Sequence, residues 1–196
     1  MLQRAGKTPA DFAVDKASFA LAPDQAAYTE IKRELADAAK EWETACLECK
    51  IKFVEVDKPA PVEGDVFFIV KYIGDQGGLL AQAFFPGDAV SERYVYVAKS
   101  YYTSSGYDKV GVLRHELGHI LGYRHEQIRP ETPVQCGFDK EDSSWVRIPG
   151  VSYDAESVMH YPCEMGGVLA AGSYSFALSD KDKAGHRKQY LERCAP

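Results

Sequence analysis

The chain has 196 residues, 45% hydrophobic, 12% aromatic and 27% charged, which is apolar mass for one domain or a compact two-lobed one. Lys plus Arg number 23 against 29 Asp plus Glu, a net charge of −6 with no basic cluster, which argues against a nucleic-acid partner. No apolar run approaches the length of a membrane span.

Residues 1–22 show no clean periodicity and are expected to be an extended arm or a propeptide remnant. The opening MLQRAGKTPADF has no apolar core of the kind an export signal needs, so either the protein is intracellular or such a signal has been removed. From Asp24, Tyr28, Ile31, Leu35, Ala38, Trp42 and Ala45 recur at three- and four-residue steps, which predicts a long amphipathic helix capped by Asp24. Strand-like segments follow at Lys50–Val56, Asp65–Ile73, Leu79–Phe85 and Arg93–Lys99. A second helix is expected from its cap Asp108 through Leu121, with Gly122 as its stop. An irregular stretch then runs to about Phe176, and Ser179 with Asp182 resembles a capping box opening a last helix through Arg193. The order of elements predicts an α/β or α+β domain.

The cysteines are Cys46, Cys49, Cys136, Cys163 and Cys194, an odd number scattered as in an oxidising compartment. Cys46 and Cys49 form a C-x-x-C, but no second such pair exists for a structural zinc site. The pair closes a helix rather than opening one, unlike a redox motif, and reads as a disulfide partner plus a spare thiol.

The chemistry lies in RHELGHILGYRHEQIRPE. His115 and His119, four apart on a helix, share one face and can aim at one metal ion. Glu116 sits beside the first ligand, placed to reach a water rather than the metal. Gly122 can adopt φ > 0, end the helix and turn the chain so that His125 returns as a third ligand. Three imidazoles leave a fourth position for water, the pattern of a catalytic zinc site. Three of five histidines clustered around a glycine stop are hard to explain by packing.

HELGHILGYRH resembles the extended zinc-binding pattern of the metzincin metallopeptidases, and SVMHY resembles their methionine turn, with Met159 as an apolar floor under the imidazoles. Within that group HEQIR, from His125 to Arg129, and YDAESVMHY, from Tyr153 to Tyr161, resemble astacins, as does ALSDKDKAGHRKQY. GGLLAQAFFPG is similar instead to the matrix-metalloproteinase edge strand above the cleft. The resemblance covers about residues 25–195. It implies an α+β metzincin (zincin-like) catalytic domain over 23–196. A twisted mixed sheet and two long helices would lie above a cleft, with an irregular lower part ending in a C-terminal helix. The lobes would span about 23–122 and 123–196.

It implies one catalytic zinc ion held by His115, His119 and His125, Glu116 as general base, and Tyr161 as an additional zinc ligand that swings away to bind the transition state. Gly122 and Glu126 would be supporting residues. In astacins the mature amino terminus docks on the glutamate after the third histidine, here Glu126; an ion pair with a nearby Arg is the other reading. Substrate would pair with the edge strand at Gln82 and Ala83. Astacin cysteines imply a Cys49–Cys194 bridge. Cys136–Cys163 is expected as a second bridge flanking the irregular segment, although astacins lack it. Cys46 is then unpaired, an alternative partner of Cys194, or a thiol on zinc in a latent form.

Phe85-Pro86-Gly87-Asp88 reads as a turn, His160 as a structural hydrogen-bonding residue, and His186 as a solvated residue of the last helix. Asp75 and Asp88 could bind calcium, as loops in some metzincins do, but they lack the dense oxygen spacing of a recognisable site. The resemblance implies a secreted zinc endopeptidase, acting as a monomer on protein or peptide substrates. A zinc amidase acting on cell-wall peptides and a catalytically silent binding protein of the same fold are the alternatives.

Overall fold

The computed structural model describes residues 10–132, 152–161 and 176–192. Five strands form one sheet in the order β2-β1-β3-β5-β4: β1 Asp11–Val14, β2 Val54–Glu55, β3 Phe68–Tyr72, β4 Ala81–Gln82 and β5 Tyr94–Val97. Four strands run parallel, and β4 pairs antiparallel to β5 at the edge, with Ala81 opposite Val97 and Gln82 opposite Tyr96.

Part of the segment expected to be an arm, Asp11–Val14, belongs to this sheet. Asp11–Val14 lies between β2 and β3, and Phe12, Ala13 and Val14 are all buried. A short inner strand covered on both faces has no polar–apolar alternation, so its period is invisible. A short helix, α1 (Lys16–Phe19), follows, started by the Asp15 carboxylate accepting from the Ala17 N–H.

Helix α2 (Ala27–Ala45) lies over the sheet and buries Ile31, Leu35, Ala38, Ala39 and Trp42, the predicted stripe. It begins three residues after Asp24, whose carboxylate instead accepts from the Ala26 N–H at 2.7 Å. Two more helices precede the lower part: α3 (Lys99–Thr103) and α4 (Lys109–Ile120). Helix α4 is buried almost all round, and α2 packs against it. The Trp42 indole N–H donates to the Arg114 carbonyl at 2.8 Å, pinning the two helices together. Glu34 of α2 is buried as well and accepts from the Tyr101 hydroxyl at 2.7 Å. The last helix, α5 (Asp180–Arg187), opens on the expected Ser179–Asp182 capping box and continues as a π-helical turn over Lys188–Glu192. No helix among the described residues is long and apolar enough to cross a membrane. The architecture is α+β, a mixed sheet with helices packed on it, as expected.

The expected Cys49–Cys194 bridge is not formed: Cys49 is bonded to Cys46. The turn closing α2 brings their α-carbons to 5.3 Å, inside the range a disulfide spans. Cys136, Cys163 and Cys194 lie outside the described residues.

Candidate metal centre and active site

Helix α4 carries His115 and His119 on one side, and both are buried. The helix then ends in a Schellman arrangement. The Tyr123 N–H donates to the Gly118 carbonyl at 2.9 Å, the Gly122 N–H donates to the His119 carbonyl at 2.8 Å, and Gly122 takes φ +93°. The reversal brings His125 back beside the other two, with ring centroids 5.1 Å from His115 and 4.8 Å from His119. One ligating atom from each of the three lies within 4.8 Å of the others.

Two of the rings are oriented by main-chain carbonyls. His115 Nδ1 donates to Val158 at 2.7 Å and His119 Nδ1 donates to Tyr123 at 2.8 Å. Each therefore presents Nε2 as a lone pair, and His115 Nε2 faces His125 Nε2 at 3.2 Å. Burial, reinforced by the neighbouring imidazoles, holds His115 well below the ordinary histidine range. Burial, then the His119 charge, brings His125 down to about 4. Burial also lowers His119. Neutral, oriented imidazoles converging on one point fit a zinc ion.

Glu116 is 4% exposed on the same helix. Burial raises its carboxyl to about 7, opposed by a hydrogen bond from the Ala83 N–H. Ala83 follows β4, which is only two residues long rather than the seven expected. Its N–H thus holds Glu116 instead of being offered to a substrate strand, while Gln82 is exposed on β4.

The methionine turn closes the site from below. Met159 is 3% exposed, and its sulfur packs so tightly on the helix that a Cβ at Gly118 would sit 2.3 Å from it. The glycine between the first two histidines is therefore required by this close approach. Asp182 holds the turn by accepting from Ser157 Oγ at 2.6 Å, the Val158 N–H at 2.8 Å and the Ser179 N–H at 3.0 Å. Its importance exceeds the helix-capping role read from sequence. Val158 links it to the metal centre: its N–H meets Asp182 and its carbonyl meets His115.

Tyr161 follows, its ring stacked on His115 at 4.9 Å and lying 4.5 Å from His125. Burial and the Glu116 charge push its hydroxyl above the ordinary tyrosine range. Gln127 accepts from the Tyr161 N–H at 2.9 Å, which fixes the backbone there. Glu126 pairs with Arg129 at 2.8 Å and accepts from the Asp154 N–H at 2.9 Å, tying the third-histidine segment to the methionine turn. His160 binds the Tyr153 hydroxyl at 2.7 Å. Asp88 accepts from the Phe85 N–H at 2.8 Å and closes a turn, and Asp75 accepts from the Gly77 N–H at 3.2 Å. His186 departs from expectation: it is fully buried against Trp42, not solvated.

The matrixin peptidase family profile matches residues 13–132, from β1 through the three histidines. The chain belongs to the matrixin family. Its metzincin resemblance is thereby shown, along with zinc as the cofactor for which His115, His119 and His125 are the candidate triad. Among relatives of this matrixin, zinc metalloproteinase nas-39 of Caenorhabditis elegans is 30% identical over 99 residues, covering 44% of this chain and 10% of the relative. Human tolloid-like protein 2 is 37% identical over 67 residues, covering 28% of this chain and 7% of the relative. The chain thus spans about a tenth of the length of the curated relatives it matches. The structure of myroilysin superposes with a TM-score of 0.62 at 16% identity, covering 92% of this chain and 91% of that one.

Proposed function

We propose that this matrixin is a zinc-dependent endopeptidase acting on protein or peptide substrates. The carrying observation is a buried carboxylate, Glu116, raised to about 7 and held by Ala83 N–H beside three converging imidazoles. His115, His119 and His125 would hold the zinc, which supplies Lewis-acid polarisation and acidification of water. Glu116 takes the proton of the attacking water and passes it to the leaving amine, a task suited to a group titrating near neutrality. Tyr161 stays protonated through neutral pH and is assigned hydrogen-bond donation to the developing oxyanion. Substrate lies extended along β4, where Gln82 and the Ala83 carbonyl supply its partners. The cleft divides an upper lobe ending at Gly122 from a lower lobe that follows it. The Cys46–Cys49 bridge supports a secreted protein, since disulfides persist in oxidising compartments.

Glu116→Gln tests the reading, because it retains shape and hydrogen bonding but cannot accept the proton. It should bind zinc like the wild type and lose nearly all hydrolysis of a peptide library. Full activity would remove Glu116 as the base.

A further inference from the structure

The last helix reaches the segment between the second and third histidines through two side chains. The Tyr190 hydroxyl donates to the Leu121 carbonyl at 2.8 Å, and His186 Nδ1 meets the Tyr123 hydroxyl at 2.8 Å. Tyr123 is the residue whose own carbonyl receives His119 Nδ1. Its ring stacks on Trp42 at 5.2 Å and 17°, and His186 and Tyr190 pack around the same cluster, 5.1 Å apart.

We propose that His186 and Tyr123 are positioning residues for the metal centre, holding His119 at zinc-binding orientation through the Tyr123 main chain. This rests on the reading that the three imidazoles hold zinc.

The chemistry of the cluster supports a positioning role over simple packing. His186 is 0% exposed, and burial depresses its imidazole to about 4. An apolar side chain would fill this space between aromatic rings without the desolvation cost of a buried imidazole. A buried polar pair instead imposes one orientation, because Tyr123 meets His186 only when its ring is turned toward α5. With the ring fixed on two sides, by Trp42 and by His186, the Tyr123 main chain has little freedom to rotate its carbonyl away from His119. Partners that orient a metal-bound histidine are known to control metal affinity, and this pair lies one bond set further out.

The test is zinc affinity, measured by competition with a fluorescent chelator on protein first stripped of metal, together with urea unfolding of the stripped protein. Tyr123→Phe keeps the ring on Trp42 and removes only the hydroxyl. It should weaken zinc binding by about threefold to tenfold, below the usual range for direct partners of a ligand, with the unfolding midpoint little changed. His186→Leu should weaken it similarly, and the double variant should bind no worse than the weaker single one, because both break the same link.

A Tyr123→Phe protein that folds and binds zinc as tightly as the wild type overturns the proposal. So does a double variant whose losses multiply. If His186→Leu fails to fold, Tyr123→Phe alone decides the matter. Wild type that binds no zinc would overturn the zinc reading along with this inference, whereas normal wild-type binding with an indifferent Tyr123→Phe overturns this inference alone.

Discussion

Gly122→Ala isolates the backbone's contribution to the site. A Cβ at position 122 would meet nothing nearer than Pro86 Cγ at 3.6 Å, an ordinary contact, so lack of space is no objection. The objection is φ +93°, a region that side-chain-bearing residues rarely adopt. Forcing alanine there costs about 1–3 kcal/mol, offset by about 0.4–1 kcal/mol from the stiffer unfolded chain. The net expectation is a loss of about 1–2 kcal/mol, or a fall in Tm of roughly 2–8 °C for a chain of this size. Urea unfolding of metal-free protein measures it, with the slope m checked against the wild type. Gly122→Asn should fall between the two, because asparagine enters left-handed conformations more readily. The alanine variant should also bind zinc more weakly, since this turn delivers both the Tyr123 carbonyl and His125. Alanine equal to or better than glycine, or asparagine worse than alanine, would show that the positive φ at Gly122 carries no cost.

Asp182→Ala leaves Ser157 Oγ and the Val158 and Ser179 N–H groups without their acceptor, and should cost about 2–4 kcal/mol in urea unfolding. It should also weaken zinc binding through Val158, which a loss confined to α5 would not do. Glu34→Gln addresses pH. Burial raises the Glu34 carboxyl above its ordinary 4.5, so the folded state holds that proton more tightly than the unfolded chain. The contribution is fully present below the unfolded value and is lost as pH rises through the raised folded value. Unfolding measured from pH 4 to 8 should show a steeper decline in the wild type than in the Gln variant, which keeps the raised carboxyls Glu116 and Glu126; parallel profiles would contradict this.

The parts of this molecule that are legible in sequence share a strong local period or a chemical spacing. The α2 stripe repeats every three or four residues, and the site motif needs His115, His119, Gly122 and His125 at fixed steps. Three features were hidden for physical reasons. Strand β1 is buried on both faces and carries no alternation. His186 lies in DKDKAGHR, whose charges mask the one face that meets Trp42, and only tertiary packing distinguishes it. The choice of Cys46 over Cys194 as partner of Cys49 depends on how the chain turns after α2, which spacing does not encode. Even within the legible motif, the reason for Gly118 emerges only when Met159 is seen against it.

Zinc titration of the metal-free protein decides whether His115, His119 and His125 form a metal site. One ion should bind per chain, and His125→Ala should weaken binding steeply, because it removes one of three converging donors. A wild-type protein that takes up no zinc, or a His125→Ala protein that binds it undiminished, would contradict the site built here from His115, His119 and His125.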